Sequence, residues 1–310
     1  MNLTLGQRIS VLVVTGVLLV SATVANGGPI LPTTYESSSG EWTLHVDPRG
    51  PWGQREAEYE LHHGEETIWS RTLSFTLRDI VVTENGEAAG WAITRPPPWK
   101  SEEREAAGYG EFRVIILDAR GIPRLNHATK REPTRMAEGS PSPRARGLLL
   151  NDFADQLIVR VIDEHQRGER WWIYGFSSGR KIGIVDPRVG LPDATTVGRT
   201  LDVLVVPESP FILMEWLSSR SPDMRKPRSR LFALVDGEGN HVWSFTLPID
   251  PGSHGEDLKW VDQDNDSIVS PEHPGLFTVV SKARAERITF LAKRSQDRWV
   301  VHEVRRVPIE

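Results

Sequence analysis

Residues 80–94 read IVVTENGEAAGWAIT, and residues 112–126 read FRVIILDARGIPRLN. Each stretch holds two short apolar runs that flank a turn, Asn85-Gly86 in the first and Arg120-Gly121 in the second. Asn-Gly between apolar runs is a strong hairpin signal, because both residues accept the left-handed backbone of a tight turn. Joined by the loop 95–110, the two hairpins predict one unit of four antiparallel strands.

The same four-strand pattern recurs along the chain in units of about forty to fifty residues. The matching runs Asp202–Pro210 and Asp266–Pro274 indicate that the units are related in sequence. The first unit is predicted to contain a strand near Tyr35 and the strands Glu41–Val46, Ala57–His63 and Thr67–Leu73, and the third unit the strands Leu148–Asn151, Leu157–Ile162, Trp171–Phe176 and Lys181–Val185. The fourth unit is predicted to contain Val203–Val206, Phe211–Leu217, Leu231–Asp236 and His241–Leu247, and the fifth Ser267–Ser270, Leu276–Ser281, Ile288–Lys293 and Trp299–Val304.

Repetition at this period predicts an all-β chain, a β-propeller of four-stranded antiparallel blades that occupies residues 30–310. Five blades are expected, and six are the alternative. A pair of β-sandwiches would share the alternation of apolar and polar residues but not the length of the unit. The content of 22 Pro, 26 Gly and eleven Trp fits many short strands joined by turns.

Composition excludes several classes of site. The chain has no cysteine, so it has no disulfide, thiolate metal site or cysteine nucleophile. A formal net charge of −5 gives no reason to expect nucleic acid as a partner. No catalytic motif such as a nucleophile elbow or a phosphate-binding loop is present, so the sequence favours a protein without enzymatic activity.

The N-terminus resembles a secretory signal peptide. Residues 9–24 are apolar apart from Ser, Thr and Gly, and small residues precede a cleavage position near Ala25. This run of sixteen residues falls short of the roughly twenty that span a bilayer, so an uncleaved anchor is the less favoured alternative. We therefore expect residues 1–25 to be removed, with no transmembrane segment remaining, and a periplasmic or extracellular protein.

Two segments carry a resemblance to a known class. Trp172–Ile182 and Ile115–Gly121 resemble the third strand and following turn of bacterial secreted β-propeller repeats of the WD-like kind. The chain lacks the terminal Trp-Asp and Gly-His pairs of true WD repeats, so no binding residue can be carried over from them.

One end of the predicted blades bears nearly all the long loops, which makes that face the candidate working face. Trp52, Trp99 and Tyr109 lie in these loops beside Pro or Gly. An aromatic ring in such a place is a candidate contact for a sugar or a protein partner. The alternative is that each ring packs as a lid on its own blade.

An acidic residue directly precedes the predicted first strand of three units, where quasi-equivalent positions converge on the propeller axis. Asp79, Asp202 and Asp266 are therefore candidate binding residues at the mouth of the channel. Asp262, Asp264 and Asp266 alternate as in the start of a calcium loop, so a weak calcium site is predicted there and no other cofactor. The alternative is that these carboxylates cap turns.

A basic tract runs from Lys130 and Arg131 through Arg135 to Arg144 and Arg146. It has two interpretations, a surface that grips an anionic polymer or acidic protein, and a solvated loop.

Three functions remain open on these observations. The first is an exported binding or scaffold propeller that takes a protein or carbohydrate partner on the long-loop face. The second is a propeller hydrolase of the glycosidase kind with carboxylates at the mouth. The third is a structural envelope protein without a ligand. The sequence does not indicate an oligomeric state.

Overall fold

The computed structural model of the protein describes residues 30–50, 53, 55–94, 110–132, 141–163, 168–186, 197–206, 209–218, 229–248, 276–281, 286–295 and 298–308. Every regular element in these ranges is a β-strand. Within the same ranges, no helix is long and apolar enough to cross a membrane.

The described strands form five antiparallel sheets, and each sheet is built from strands consecutive in the chain. By sheet, the strands are β1 Thr33–Glu36, β2 Trp42–Pro48, β3 Ala57–His63, β4 Glu66–Leu73; β5 Arg78–Val82, β6 Ala88–Ile93, β7 Glu111–Leu117, β8 Pro123–Lys130; β9 Arg144–Asn151, β10 Gln156–Asp163, β11 Gly168–Gly175, β12 Arg180–Val185; β13 Val197–Val205, β14 Ile212–Ser218, β15 Ser229–Val235, β16 His241–Pro248; β17 Leu276–Ser281, β18 Glu286–Ser295 and β19 Arg298–Pro308.

The sheets reproduce the predicted units. The first four contain four strands each in the order of the sequence, and three strands are described for the fifth. The predicted opening strand of the fifth unit, Ser267–Ser270, lies outside the described residues. Asp79 and Asp202 lie inside β5 and β13 rather than before them, because strand pairing continues past an irregularity in each ladder.

Successive sheets pack face to face, and β7 shows how. Ile115 and Leu117 belong to an apolar cluster shared with the first sheet, whereas Val114 and Ile116 belong to one shared with the third. Side chains of a strand alternate between its two faces, so both faces of the second sheet are buried. In the third sheet, Trp172 likewise packs toward the second sheet and Trp171 toward the fourth.

The first strands of neighbouring sheets lie beside one another. β1 contacts β5, β5 contacts β9, and β9 contacts β13. Stacked sheets that bring their first strands together around one line are the arrangement of propeller blades, and two separate sandwiches would not produce it. The fold is therefore a β-propeller with four-stranded antiparallel blades.

Glycines in the tight turns let each blade approach the preceding one. A Cβ on Gly86 would lie 2.5 Å from the Trp42 ring, and a Cβ on Gly121 would lie 2.9 Å from the Trp69 ring. The Trp69 indole N–H also donates to the carbonyl oxygen of Ala119 over 3.0 Å. Both glycines have positive φ angles, of 73° and 72°. The tight-turn end is thus a packing seam between blades.

Candidate functional site

The long connections leave from one end of the strands. In four antiparallel strands taken in chain order, the loop between the second and third strands shares an end with the connection to the next sheet. The first residues of β5 and β9, Arg78 and Arg144, are at this end. We call the group of Tyr35, Arg78, Asp79, Arg131 and Arg144 the long-loop mouth.

Asp79 occupies a bulge at the start of β5. Arg78 pairs with Trp91, but the next paired residue of the strand is Val81, so the ladder carries an extra residue. Asp79 has a φ of 46°, in the left-handed region. The facing residue is Gly90, and a side chain there would be crowded because its Cβ would lie 3.0 Å from the Arg78 carbonyl oxygen. Bulges redirect side chains. Here the Asp79 carboxylate accepts the Trp91 indole N–H over 2.9 Å.

Arg78 lies against the other side of the same indole. Its guanidinium carbon is 5.2 Å from the centroid of the Trp91 ring, within the range of a cation–π contact. Burial lowers the pKa of Arg78, although the charges of Asp79 and Tyr35 oppose the change. Burial, with a smaller contribution from Asp79, raises the pKa of Tyr35 to about 12. Tyr35 is thus a neutral hydroxyl at neutral pH, while an arginine stays protonated.

Arg131 is the most buried charge of the mouth. Its side chain is only 7% exposed, and two backbone carbonyls hold it: Nε donates to Pro143 O over 3.2 Å and Nη2 to Pro141 O over 2.9 Å. Burial lowers its pKa to about 10, and the positive charges of Arg78 and Arg144 act in the same direction. Three arginines from two blades therefore lie near enough at this end of the inner strands for Arg78 and Arg144 to act on the charge of Arg131.

Carboxylates are also present on the segments that form the mouth. Asp79 is bound by Trp91, and the Ser142 hydroxyl approaches Asp163 at 3.5 Å. In the part of the chain that the structure describes, no carboxylate forms an ion pair with Arg131. Among the described residues, the charge of Arg131 is accommodated by the carbonyl dipoles of Pro141 and Pro143.

The opposite, tight-turn end carries negative charge. Glu84 accepts the backbone N–H of Ser39 over 2.7 Å, and Asp155 accepts the backbone N–H of Ser177 over 2.9 Å. Burial and the nearby charges of Glu84 and Asp155 raise the pKa of Asp152. These three carboxylates lie in the described tight turns, at the opposite end of the inner strands from Arg78 and Arg144.

The predicted site residues fall into two groups. Asp79 lies in the bulge at the start of β5. Asp202 lies in β13, where the register shifts between Thr200 and Asp202, and its side chain is not described. The remaining six predicted residues lie outside the described residues: Trp52, Trp99, Tyr109, Asp262, Asp264 and Asp266. Among the residues that are described, no three His, Asp or Glu side chains are arranged to hold a metal ion.

Three residues of the site could not be identified with certainty from sequence patterns. Arg131 and Arg144 belong to the basic tract that was open to two interpretations, and the burial of Arg131 argues against a solvated loop at that position. Arg78 carried no signal at all, because a lone arginine before an apolar run is common at the start of a strand.

Comparisons with known proteins concern the fold alone. The sequence matches no family model and no curated protein. Among solved structures, it resembles hydrazine synthase from Kuenenia stuttgartiensis, with 10% identity, a TM-score of 0.43 and coverage of 90% of this chain and 74% of that chain. It also resembles the β-propeller domain of the trilobed protease from Pyrococcus furiosus, with 9% identity, a TM-score of 0.43 and coverage of 91% and 71%. A third structure is the α-L-arabinofuranosidase from Fusarium graminearum, with 11% identity, a TM-score of 0.42 and coverage of 88% and 80%.

Proposed function

We propose that this protein is an exported binding propeller that takes a protein or glycan partner at the long-loop mouth. One observation carries the proposal: Arg131, which is 93% buried, lies at the long-loop end of the inner strands and has no described carboxylate partner. A buried ion disfavours folding unless an opposite charge compensates it. The burial of Arg131 at the long-loop end is therefore better explained by the binding of a ligand than by a contribution to stability.

Export and the relation to secreted WD-like repeats are parts of the same proposal. Mass spectrometry of the secreted protein is expected to find an N-terminus near Asn26. A chain that keeps Met1 in the membrane fraction would support the uncleaved anchor instead.

The binding function can be tested with two variants on opposite faces. Arg131→Gln removes the buried charge of the mouth, and Arg120→Gln removes an exposed charge of the tight-turn face, where Arg120 pairs with Asp118 over 2.9 Å. Labelled wild-type protein and both variants are applied to an array of neutral and acidic glycans and to extracts of the cell envelope. We expect a retained partner that Arg131→Gln loses and Arg120→Gln keeps. Retention that depends on Arg120 instead, or no retention by the wild type, would contradict the proposal.

A hydrolase with mouth carboxylates is the competing function. Asp79, the candidate acid whose side chain is described, accepts a hydrogen bond from Trp91 and lies beside Arg78. Hydrolysis of an array glycan by the wild type, abolished in Asp79→Asn, would favour the enzyme over the binder.

A further inference from the structure

We infer that the long-loop mouth is an oxyanion site in which Arg131 is the central donor and Arg78 and Arg144 complete the positive field. The ligand it would take presents a carboxylate, sulfate or phosphate group. This inference rests on the proposed function and narrows it to a chemical class of ligand.

The first step is the burial of a permanent charge. A pKa of about 10 still leaves Arg131 protonated at neutral pH, so it is a cation although it is only 7% exposed. The two charges that act on it from described neighbours, Arg78 and Arg144, are both positive. Like charges repel, so an anion bound at Arg131 would offset the unfavourable effect of these two charges on it.

The second step is the number of donors. A guanidinium group has five N–H donors, and Arg131 uses one on Nε and one on Nη2 for the carbonyls of Pro143 and Pro141. The two carbonyls fix the plane of the group and leave N–H donors of both terminal nitrogens for a ligand. Planar donor pairs of this kind match the oxygens of a carboxylate or phosphate group.

The third step is the position of the charges in the fold. Arg78 begins β5 and Arg144 begins β9, and these two strands contact each other. Arg131 lies in the connection from β8 to β9, so the three side chains come from adjacent blades at one end of the inner strands. All three arginines thus lie at the end from which the long connections leave.

A purely structural role is the competing explanation for Arg131. In that case it would tie the chain at Pro141 and Pro143 to the end of β8 and bind nothing else. The two explanations differ in what happens when anions are added, because a structural tie has no reason to respond to them.

The test uses the full mature protein and three anions, namely inorganic phosphate, inorganic sulfate and glucuronate, with glucose as the neutral counterpart of glucuronate. Binding is measured by calorimetry and by the shift in Tm at constant ionic strength, set with chloride. Sulfate and phosphate stabilise many proteins non-specifically through exclusion from the surface, so the decisive quantity is the difference between variants. The variants are Arg131→Gln, Arg144→Gln and, as the matched control on the other face, Arg120→Gln.

We expect at least one anion to raise the Tm of the wild type and of Arg120→Gln by several degrees at roughly a hundredfold excess over its Kd. The shift should be lost in Arg131→Gln and reduced in Arg144→Gln, and glucose should have no effect. If Arg131→Gln does not fold, Arg144→Gln carries the comparison. The arms with glucuronate, sulfate and phosphate show which source of oxyanion the mouth prefers.

Equal shifts in all variants would show exclusion from the surface or an adventitious ion only, and would overturn the inference. A neutral glycan or uncharged partner that depends on Arg131, without any response to anions, would overturn the oxyanion site and leave the proposed function standing. If the wild type showed neither partner binding nor a response to anions, both the proposed function and the oxyanion site would be wrong.

Discussion

Trp91 and Asp79 are joined across the bulge of β5 by a hydrogen bond of 2.9 Å from the indole N–H to the carboxylate. The donor is on a side chain that is 9% exposed, and the acceptor is on a residue with a φ of 46°. The left-handed backbone at Asp79 is what turns the carboxylate toward the ring, since a regular strand would direct it away. This pair fixes the shape of the mouth beside Arg78.

The first prediction concerns this pair. Asp79→Ala should lower the free energy of unfolding by about 1–3 kcal/mol, because it leaves a buried indole donor without its acceptor and places a Cβ-bearing apolar residue in the left-handed region. Asp79→Asn should lose less than about 1 kcal/mol, since asparagine keeps an acceptor oxygen and tolerates that backbone. Urea unfolding of the two variants provides the comparison, and equal losses would show that the hydrogen bond does not stabilise the bulge.

The second prediction concerns the glycines of the tight turns. Gly239 and Gly40 each close a turn with positive φ, 83° and 74°, and each donates its N–H to the residue three positions before. A Cβ on Gly239 would lie 2.1 Å from Val185 Cγ1 of the preceding blade, whereas a Cβ on Gly40 would meet nothing within 4 Å. Gly40→Ala should therefore cost only the backbone strain of about 1–2 kcal/mol, and Gly239→Ala should cost a further 1–3 kcal/mol or so from overpacking.

Thermal or urea unfolding measures the difference directly. Matching losses in the two variants would mean that the blades at Val185 can separate without cost, and that the tight-turn end is not a packing seam.

The third prediction is a pH dependence at the tight-turn end. Burial, with Glu84 and Asp155, raises the pKa of Asp152 above its ordinary value. Folding thus disfavours the ionised form of Asp152. Its contribution to the free energy of unfolding is fully present below the pKa of the unfolded state and is lost as pH rises through the pKa of the folded state. Asp152→Asn should have a higher Tm than the wild type at pH 7, and the advantage should disappear at a pH below the ordinary range of an aspartate.

Asp118 is the control for this prediction. Burial opposes its ionisation, but the N–H groups of Ile122 and Arg120 and the Arg120 side chain outweigh it and lower the pKa of Asp118. Its contribution to stability is present above the unfolded pKa and is lost as pH falls, so Asp118→Asn should reduce the Tm at pH 7. If both variants move the Tm in the same direction, the local charges do not determine these effects.

The strands were predictable from the sequence because their determinants are local. Apolar runs such as 112–117 and turn glycines such as Gly121 specify a hairpin without knowledge of the rest of the chain. Even the weak strand near Tyr35 is present as Thr33–Glu36, paired with β2.

Only part of the long-loop mouth could be predicted from the sequence, because the rest depends on contacts between distant segments. Asp79 could be located because the first strands of the blades converge, but the burial of Arg131 depends on carbonyls contributed by Pro141 and Pro143. That contact needs the chain to return between two blades, and no local pattern encodes it. The bulge that turns Asp79 toward Trp91 depends likewise on pairing with β6.

The fourth prediction concerns calcium. Asp262, Asp264 and Asp266 place three carboxylates within five residues, outside the described ranges, and the loop lacks the glycine and later ligands of strong calcium sites. Binding should be weak, on the order of 10⁻⁴ to 10⁻³ M. A few millimolar calcium should then raise the Tm by a few degrees or less, and Asp264→Ala should abolish the rise. Equal melting temperatures with calcium and with chelator would indicate that these carboxylates cap turns and do not bind calcium.

The most direct measurement is an anomalous difference map from crystals of the mature protein grown with selenate and without sulfate or phosphate. Selenate reproduces the shape and charge of the sulfate oxyanion and is located by its own scattering. We predict a selenate ion within hydrogen-bond distance of the Arg131 guanidinium, with Arg78 and Arg144 around it. Selenate bound only elsewhere, with none at Arg131, would contradict the assignment of the long-loop mouth as the anion-binding end of the propeller.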